Sequence, residues 1–235
     1  MSEDKYADRF TGEPPSWSLT EGISQGRLLS HVVLDLETLG LRDNPVIIAV
    51  GAVALDDEYE VIGRFYRSIH GAGQYGRTMD YSTVKWWVTR TSDDARNVAF
   101  HDNAVRLTQA VDDFGRWILD YTEHDAEVWG VAAPVQFWGK GPEFDNVIWR
   151  SALEGFSARE GTELLQKVWT YRNNQSLRTV ELLAESLGIT INVPDTAVAH
   201  HALCDAEWEA EYLRQAMHKI LALAPKVLDA EDSSE

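Results

Sequence analysis

Two carboxylates lie one residue apart at the end of the first strongly apolar run of this chain. The segment HVVLDLETLG carries them as Asp35 and Glu37. Because alternate residues of a β-strand point to the same face of a sheet, the two acids project together from the end of one strand. Crowded carboxylates repel one another, so a fold that contains this strand must bring a compensating charge to it.

Two later segments carry further acids behind or within apolar runs. FWGKGPEFDNVIW contains Asp145, and AHHALCDAEWEAEYL contains His200 and Asp205, five residues apart. Taken singly, each acid is explained equally well as a helix cap, a turn residue or a surface charge. Together, four carboxylates and one imidazole on separate elements indicate a site for divalent cations, and hard oxygen ligands favour Mg²⁺ or Mn²⁺. The set therefore predicts metal-dependent phosphoryl chemistry.

The order of the predicted elements indicates an α/β fold with a mixed sheet flanked by helices. Three closely spaced strands, at about residues 28–36, 46–56 and 60–69, predict an antiparallel meander at one edge of the sheet. Periodicity and capping signals then predict helices at residues 81–90, from 92, at 103–121, from 145, at 178–188 and at about 201–223, and strands at 135–140 and 168–173.

Composition predicts a soluble intracellular protein. Its 235 residues fit one large domain or two small ones, and the 44% of them that are hydrophobic suffice for a sizeable core. The single cysteine excludes an intrachain disulfide. Neither a signal peptide nor a membrane-spanning run is recognisable, so we expect a cytoplasmic location without membrane attachment. We predict an N-terminal extension at residues 1–27, a catalytic body at 28–223 and an acidic tail at 224–235.

The net charge of −17 argues against broad electrostatic capture of duplex DNA. It does not argue against an enzyme that binds only the last few nucleotides of a strand, because bound cations offset negative charge at the site itself.

The ordered motifs LDLET, an aspartate after an apolar run, and HHALCD resemble the DEDDh 3′–5′ exonucleases. The segments DYSTVKWWVTRTSDDAR and SLRTVELL are similar to segments of phage-type exodeoxyribonucleases and related bacterial exoribonucleases. The resemblance covers about residues 28–223 and implies an RNase H-like fold. It also implies that Asp35, Glu37 and Asp205 hold the ion that activates water, while Asp35 bridges to a second ion supported by Asp145.

The resemblance also selects the general base. In the family a histidine lies five residues before the last aspartate, which corresponds to His200. An imidazole has an unperturbed pKa of ~6.5 and is suited to accept a proton from the attacking water. The alternatives for the adjacent His201 are a side chain that faces solvent, a contact with substrate and, as we favour, a residue at the start of the last helix that takes no part in the chemistry.

Several residues are candidate substrate contacts. The resemblance implies that Thr38 and Leu39 contact the terminal nucleotide, and the loop WGKGPEFD lacks an asparagine that many relatives carry there. Adjacent tryptophans on a helix point about 100° apart, so one ring can lie in the core while the other is exposed. The remaining candidates are Lys140 and Arg178 for phosphate and Trp87 for base stacking, with a solvated charge and plain core packing as the alternatives.

The leading hypothesis is a metal-dependent 3′–5′ exonuclease that acts on the 3′ ends of single-stranded nucleic acid. It releases 5′-mononucleotides, and the phage-type resemblance mildly favours DNA over RNA. The alternatives are a 3′–5′ exoribonuclease and a catalytically silent nucleic-acid-binding module.

Overall fold

The computed structural model describes residues 27–42, 44–129, 134–155, 169–195 and 198–223. The predicted acidic tail and all but the last residue of the predicted N-terminal extension lie outside the described residues. No helix within the described ranges combines the length and the apolar character that crossing a membrane requires.

A five-stranded mixed sheet forms the centre of the fold. As predicted, β1 (His31–Thr38), β2 (Ile47–Leu55) and β3 (Val61–Ser68) form an antiparallel meander at one edge. The short strands β4 (Gln136–Gly139) and β5 (Asn174–Ser176) continue the sheet in parallel on the other side of β1. The order β3-β2-β1-β4-β5 makes β1, which carries the paired acids, the central strand.

Helices follow the strands largely where the sequence predicts them. Within the described ranges they are α1 (Tyr81–Arg90), α2 (Asp93–Ala99), α3 (Leu107–Trp129), α4 (Asp145–Glu154), α5 (Leu177–Ser186) and α6 (Ala202–Leu221). Ser92 caps α2 by accepting a hydrogen bond from the Ala95 N–H. After α5, Gly188 has a φ of +68°, a conformation that glycine adopts without strain and that ends a helix.

The strand predicted at residues 168–173 is wrong. Tyr171–Asn173 forms a turn of 3₁₀ helix, and the strand begins only at Asn174. The Asn173 side chain accepts hydrogen bonds from the backbone N–H and the hydroxyl of Thr170, at 2.9 Å and 2.7 Å. These local bonds compete with strand pairing, as short polar side chains commonly do.

The alternation along β1 separates two apolar cores, one on each face of the sheet. Val32, Leu34 and Leu36 point into a core shared with α3 and α4. Val33 points to the other face, where it packs with residues of α5 and α6 such as Leu203. Asp35 and Glu37 have the same parity as Val33, so they face the side of the sheet that α6 covers.

The first turn of α6 lies directly against the sheet at Gly51. Gly51 pairs with Asp35 across β1 and β2. A Cβ atom at Gly51 would lie 2.2 Å from the carbonyl carbon of Ala202 and 2.3 Å from the backbone nitrogen of Leu203. The backbone of α6 therefore occupies the space that a side chain beside Asp35 would need.

Replacing Gly51 with alanine tests this contact. Because the colliding atoms belong to backbone, relief requires a shift of β2 or α6, and overpacking of this kind costs about 1–3 kcal/mol. We expect urea titration to show a free energy of unfolding lowered by that amount. Gly71→Ala is the control, since its Cβ would meet only Val46 Cγ1 at 3.6 Å. Equal stability of the two variants would contradict the packing described.

Candidate active site

The end of β1 places two partly buried carboxylates beside an irregularity in the sheet. Asp35 pairs with Gly51 and Glu37 with Ala49, and the register then shifts between Glu37 and Thr38. Irregularities of this kind bend a strand and re-aim its side chains, and they are common beside active sites. The last residues of β1 therefore turn out of the regular pleat where the acids lie.

Asp145 reaches β1 from the start of α4. Its side chain is 7% exposed, and Oδ1 accepts a hydrogen bond of 3.3 Å from the backbone N–H of Leu36, the residue between the two acids. The next residue, Asn146, donates a bond of 2.8 Å from Nδ2 to the Phe137 carbonyl oxygen of β4. A Cβ at Gly139 would lie 2.7 Å from Asn146 Oδ1, so glycine at that position lets α4 approach the sheet.

The start of α6 separates the roles of the two adjacent histidines. His201 is buried, and its Nδ1 accepts hydrogen bonds from the backbone N–H groups of Leu203 and Cys204, at 3.2 Å and 3.3 Å. It therefore caps the helix. His200 is exposed, has a φ of +63°, and donates its backbone N–H to Asp205 Oδ2 at 3.0 Å.

Strand β1 and helix α6 bring an acid pair and the imidazole together. One ligand-type atom from each of Glu37, His200 and Asp205 lies within 4.8 Å of the others. Such oxygen and imidazole donors at this spacing suit a single divalent cation. The backbone at His200 adopts a conformation that non-glycine residues rarely adopt, and strain of this kind is concentrated at functional sites.

Glu209 is a fifth acid that reasoning from the sequence missed. It lies on α6 four residues after Asp205, is 4% exposed, and its Oε2 has no hydrogen-bond partner among the described residues. In the sequence it reads as a surface residue of an amphipathic helix. The signal that identifies it is the i, i+4 spacing from Asp205, which places both side chains on one face of α6.

The acids raise one another's pKa values. Burial raises the pKa of the Asp35 carboxyl well above its usual range, and the charges of Asp145, Glu37, Glu209 and Asp205 raise it further. A carboxyl group held among like charges keeps its proton until a bound cation compensates the negative charge of its ionised form.

The same physics acts on the neighbouring carboxyls. Burial, followed by the charges of Asp205 and Asp145, raises the pKa of Glu37 to about 8. Burial also raises the pKa of Asp145 to about 7, although the hydrogen bond from the Leu36 N–H opposes the change. Oxygen donors that retain protons near neutral pH in the absence of a cation are suited to exchange those protons for Mg²⁺ or Mn²⁺.

Two depressions flank the acids. One is a cavity of about 580 Å³ lined by Asp35, Lys140, Asp205, Trp208 and Glu209, among others. The other is a cleft of about 420 Å³ whose lining includes Leu36, Glu37, Thr38, Trp86 and Phe144. The first is rich in charge and the second is mostly apolar, so the acid cluster lies between a polar and an apolar compartment.

The structure distinguishes the two adjacent tryptophans. Trp87 is 1% exposed, belongs to the core under α1, and donates its indole N–H to the Thr38 carbonyl oxygen at 3.0 Å. Trp86 is 36% exposed, and its ring centroid lies 4.8 Å from that of His200. One ring therefore lies in the core and the other is exposed, and the exposed ring is Trp86, not the stacking candidate Trp87. Leu39 is buried in the same core as Trp87.

The two candidate phosphate-binding residues lie near the loop that follows β4. The Lys140 ammonium is 4.8 Å from the centroid of the Trp208 ring and 3.9 Å from Glu181 Oε1. Arg178 is exposed in the first turn of α5, with a guanidinium nitrogen 3.7 Å from the Cβ position of Gly141. Lys140 shares the polar cavity with the acids.

Comparison with known proteins identifies relatives and structural neighbours. A family model described as "3'-5' exoribonuclease Rv2179c-like domain" matches residues 30–217. The exodeoxyribonuclease of Enterobacteria phage T4 is 24% identical over 213 residues, which cover 81% of this chain and 90% of that protein.

Two solved exonuclease structures share the fold. The zinc-bound E. coli ExoI–ssDNA complex has a TM-score of 0.56 and 14% identity, covering 86% of this chain and 43% of that chain. A moderately thermophilic exonuclease I from Methylocaldum szegediense has a TM-score of 0.55 and 14% identity, covering 81% and 40%. This chain therefore spans less than half the length of either structure. The likeness confirms the predicted α/β fold with its mixed sheet.

The raised pKa values predict how the stability of the metal-free protein depends on pH. With a pKa of about 8 in the folded state and 4.5 ordinarily, Glu37 keeps its proton on folding and loses it on unfolding at neutral pH. The folded state therefore binds more protons, so the free energy of unfolding falls as pH rises. Between about pH 7 and about pH 8.5 we expect a loss of about 1–2 kcal/mol in EDTA.

Urea titrations at the two pH values measure this loss. The buried His201, whose pKa burial lowers to about 4, contributes little in this window, because histidine is largely neutral in both states above its ordinary value of 6.5. The Glu37→Gln variant should show a smaller loss. Stability that rises with pH over this window would contradict the electrostatics described.

Proposed function

We propose, from the membership of this chain in the family of the 3'-5' exoribonuclease Rv2179c-like domain, that it cleaves nucleic acid exonucleolytically from the 3′ end. In this proposal it uses two divalent cations to hydrolyse the terminal phosphodiester of a single strand. Water adds to the phosphorus, the bond to the 3′ oxygen of the preceding nucleotide breaks, and the released nucleotide keeps its 5′-phosphate.

The observation that carries the proposal is the convergence of acids from three separate elements. Glu37 from β1 and Asp205 from α6 lie within 4.8 Å of each other and of the His200 imidazole. Asp145 from α4 is bonded to the backbone between Asp35 and Glu37. A purely structural role does not explain why several carboxylates share one partly buried place at a cost in stability.

Each residue of the cluster has a distinct task in this proposal. Asp35, Glu37 and Asp205 would hold one ion, and Asp145 together with Asp35 would hold the second. Bound ions of this kind stabilise the attacking and leaving oxygens of an in-line displacement. His200 accepts the proton of the attacking water, since one of its ring nitrogens lies within 4.8 Å of carboxylate oxygens of Glu37 and Asp205.

The apolar cleft is the proposed site of the 3′-terminal nucleoside. Leu36, Trp86 and Phe144 give it apolar walls, while Glu37 and Thr38 lie at the acid cluster. The exposed Trp86 ring is placed to stack on a base, and such stacking is worth about 1–3 kcal/mol per base in nucleic-acid-binding proteins. We therefore transfer the proposed stacking role from Trp87 to Trp86. Thr38 lines this cleft and keeps its proposed role as a substrate contact. Leu39 is buried in the core with Trp87 and does not line the cleft, so we withdraw it as a substrate contact.

The phosphate that precedes the scissile one is proposed to lie near Lys140 and Arg178. Lys140 lines the polar cavity beside Asp35 and Asp205, and Arg178 is exposed beside the loop at Gly141. The net charge of −17 favours recognition of a short 3′ end over binding along a duplex.

Single-stranded DNA is the first proposed substrate, and RNA is the second. DNA is favoured by the likeness to the phage T4 exodeoxyribonuclease over most of both chains. RNA is favoured by the description of the matching family, which names an exoribonuclease. Because only the 2′-hydroxyl distinguishes strands of one base sequence, matched DNA and RNA oligomers digested in parallel decide between them.

Incubation with a 5′-end-labelled single strand tests the activity itself. We expect a ladder that shortens from the 3′ end with Mn²⁺ or Mg²⁺, no products in EDTA, and no cleavage of circular single strands. The Asp35→Asn variant should keep its fold by circular dichroism and lose cleavage. Retention of intact strands in every condition would instead support a binding module, and near-normal cleavage by Asp35→Asn would overturn the cation assignment.

The two histidines provide a matched pair for testing the general base. His200→Ala should lower kcat by about 10²–10⁴-fold, the usual contribution of positioned proton transfer, with little change in KM. His201→Ala should keep kcat and lower the free energy of unfolding by about 0.5–2 kcal/mol, as expected for a lost helix cap. Steady-state kinetics and urea titration separate the two effects. The reverse pattern would show that His201 is the base.

A further inference from the structure

Glu209 is buried beside the acid cluster, and neither core packing nor the proposed roles of Asp35, Glu37, Asp145, His200 and Asp205 explain why an acid is buried there. Its side chain is 4% exposed, and Oε2 lacks a hydrogen-bond partner among the described residues. A buried carboxylate without a partner destabilises a fold, so such groups are usually paired or bound to a cation. The other acid of α6 near the site, Asp205, by contrast accepts a hydrogen bond from the His200 N–H.

Glu209 lies on one side of the acid cluster, the side that faces the polar cavity. One helical turn after Asp205, it lines the same polar cavity as Asp35 and Lys140. The charges that act on it include those of Asp145, Lys140 and Asp205. Glu37 and His200, in contrast, gather with Asp205 in the group suited to the first ion. Glu209 therefore lies on the side of Asp35 and Asp145, where the second ion is proposed.

Neither an ion pair nor space filling explains why an acid is buried at position 209. A simple ion pair with Lys140 is not seen: the Lys140 ammonium is 3.9 Å from Glu181 and lies over the Trp208 ring. Space filling alone does not require an acid, because the neighbouring buried positions of α6, Ala206 and Ala210, are apolar. What remains is a carboxylate directed into a cavity that already contains cation ligands.

We propose that Glu209 is a fifth carboxylate of the site, which binds the second divalent cation together with Asp35 and Asp145, directly or through a water of that cation. The inference rests on the proposed function, since it adds a ligand to the cation pair proposed there. It explains why a buried, unpartnered acid occurs one turn after Asp205. It also supplies a negative charge on the side of the site where Lys140 opposes cation binding.

Calorimetric titration with Mn²⁺ alone, without nucleic acid, tests this assignment. The wild-type chain should bind two ions, and Glu209→Gln should bind the weaker of them at least about tenfold less tightly, the scale seen when a residue supporting a metal ligand is lost. Glu207→Gln is the matched control on the same helix, because Glu207 bonds to Arg64 at 2.5 Å and does not line the cavity. The control should bind both ions as the wild type does.

Stability in EDTA distinguishes a cation ligand from a structural acid. Removing the charge of an unpartnered buried carboxylate should leave the urea midpoint of metal-free Glu209→Gln unchanged or raised. A lowered midpoint with unchanged Mn²⁺ binding would overturn the inference. If Glu209→Gln fails to fold, Glu209→Asp keeps the charge and shortens its reach, and unchanged Mn²⁺ affinity in that variant would overturn it equally.

The outcomes also separate this inference from the proposed function. Wild-type cleavage together with undisturbed Mn²⁺ binding by Glu209→Gln would refute the role of Glu209 and leave the exonuclease intact. Weakened Mn²⁺ binding by the variant, without cleavage by the wild type, would keep the ligand and refute the activity. A Glu209→Gln variant with altered KM for the strand and normal Mn²⁺ binding would show that Glu209 acts on Lys140 instead. A wild-type chain that binds no Mn²⁺ would refute both.

Discussion

The backbone contact at Gly51 is the constraint on which the arrangement of the site depends. Gly51 lies beside Asp35 in the sheet, and the first turn of α6 occupies the space where its side chain would be. Any larger residue would hold α6 away from the strand. Because Asp205 and Glu209 extend from this helix, and His200 lies two residues before its start, one missing side chain in β2 determines whether three groups of the candidate site reach the acids of β1. Burial of an apolar face stabilises α6 on the sheet. The close approach of the first turn of α6 to Gly51 sets the distance between the acids of α6 and those of β1.

The electrostatic consequence of that approach is a cluster that is unfavourable in the absence of cations. Burial raises the pKa values of Asp35, Glu37, Asp145 and Glu209, and repulsion by neighbouring acids of the cluster raises those of Asp35, Glu37 and Glu209 further. The fold tolerates this because two large apolar cores lie on either face of the sheet. Local irregularities also gather at the same place: the register shift after Glu37 and the positive φ of His200. Strain and repulsion concentrated at one point, within an otherwise regular sheet, are typical of a site maintained for chemistry and not for stability.

Reasoning from the sequence predicted the strand meander, the acids at the end of β1 and the last helix, because these rest on strong local patterns. The strand predicted at residues 168–173 was wrong, because hydrophobic pattern does not reveal that the Thr170 and Asn173 side chains bond locally into a turn. Helical geometry showed that Trp86 and Trp87 diverge but not which one packs inward, since that depends on the Thr38 carbonyl oxygen that accepts the Trp87 indole N–H. Glu209 was missed because its i, i+4 spacing from Asp205 shows only that the two acids share a face of α6. Its burial is a tertiary property that follows from how closely α6 packs on the sheet.

The division of the site into a charged and an apolar compartment explains how a chain with this net charge can act on a polyanion. Affinity cannot come from a broad positive surface, because acids outnumber bases by 38 to 21. In the proposed binding mode, affinity comes from base stacking and apolar contact in the cleft beside Trp86, and from cations bound at the acids. Both of these proposed contributions act on the terminal nucleotide and the phosphate that joins it to the strand. A binding mode restricted in this way recognises an end and does not favour internal positions, which is the behaviour required of an exonuclease.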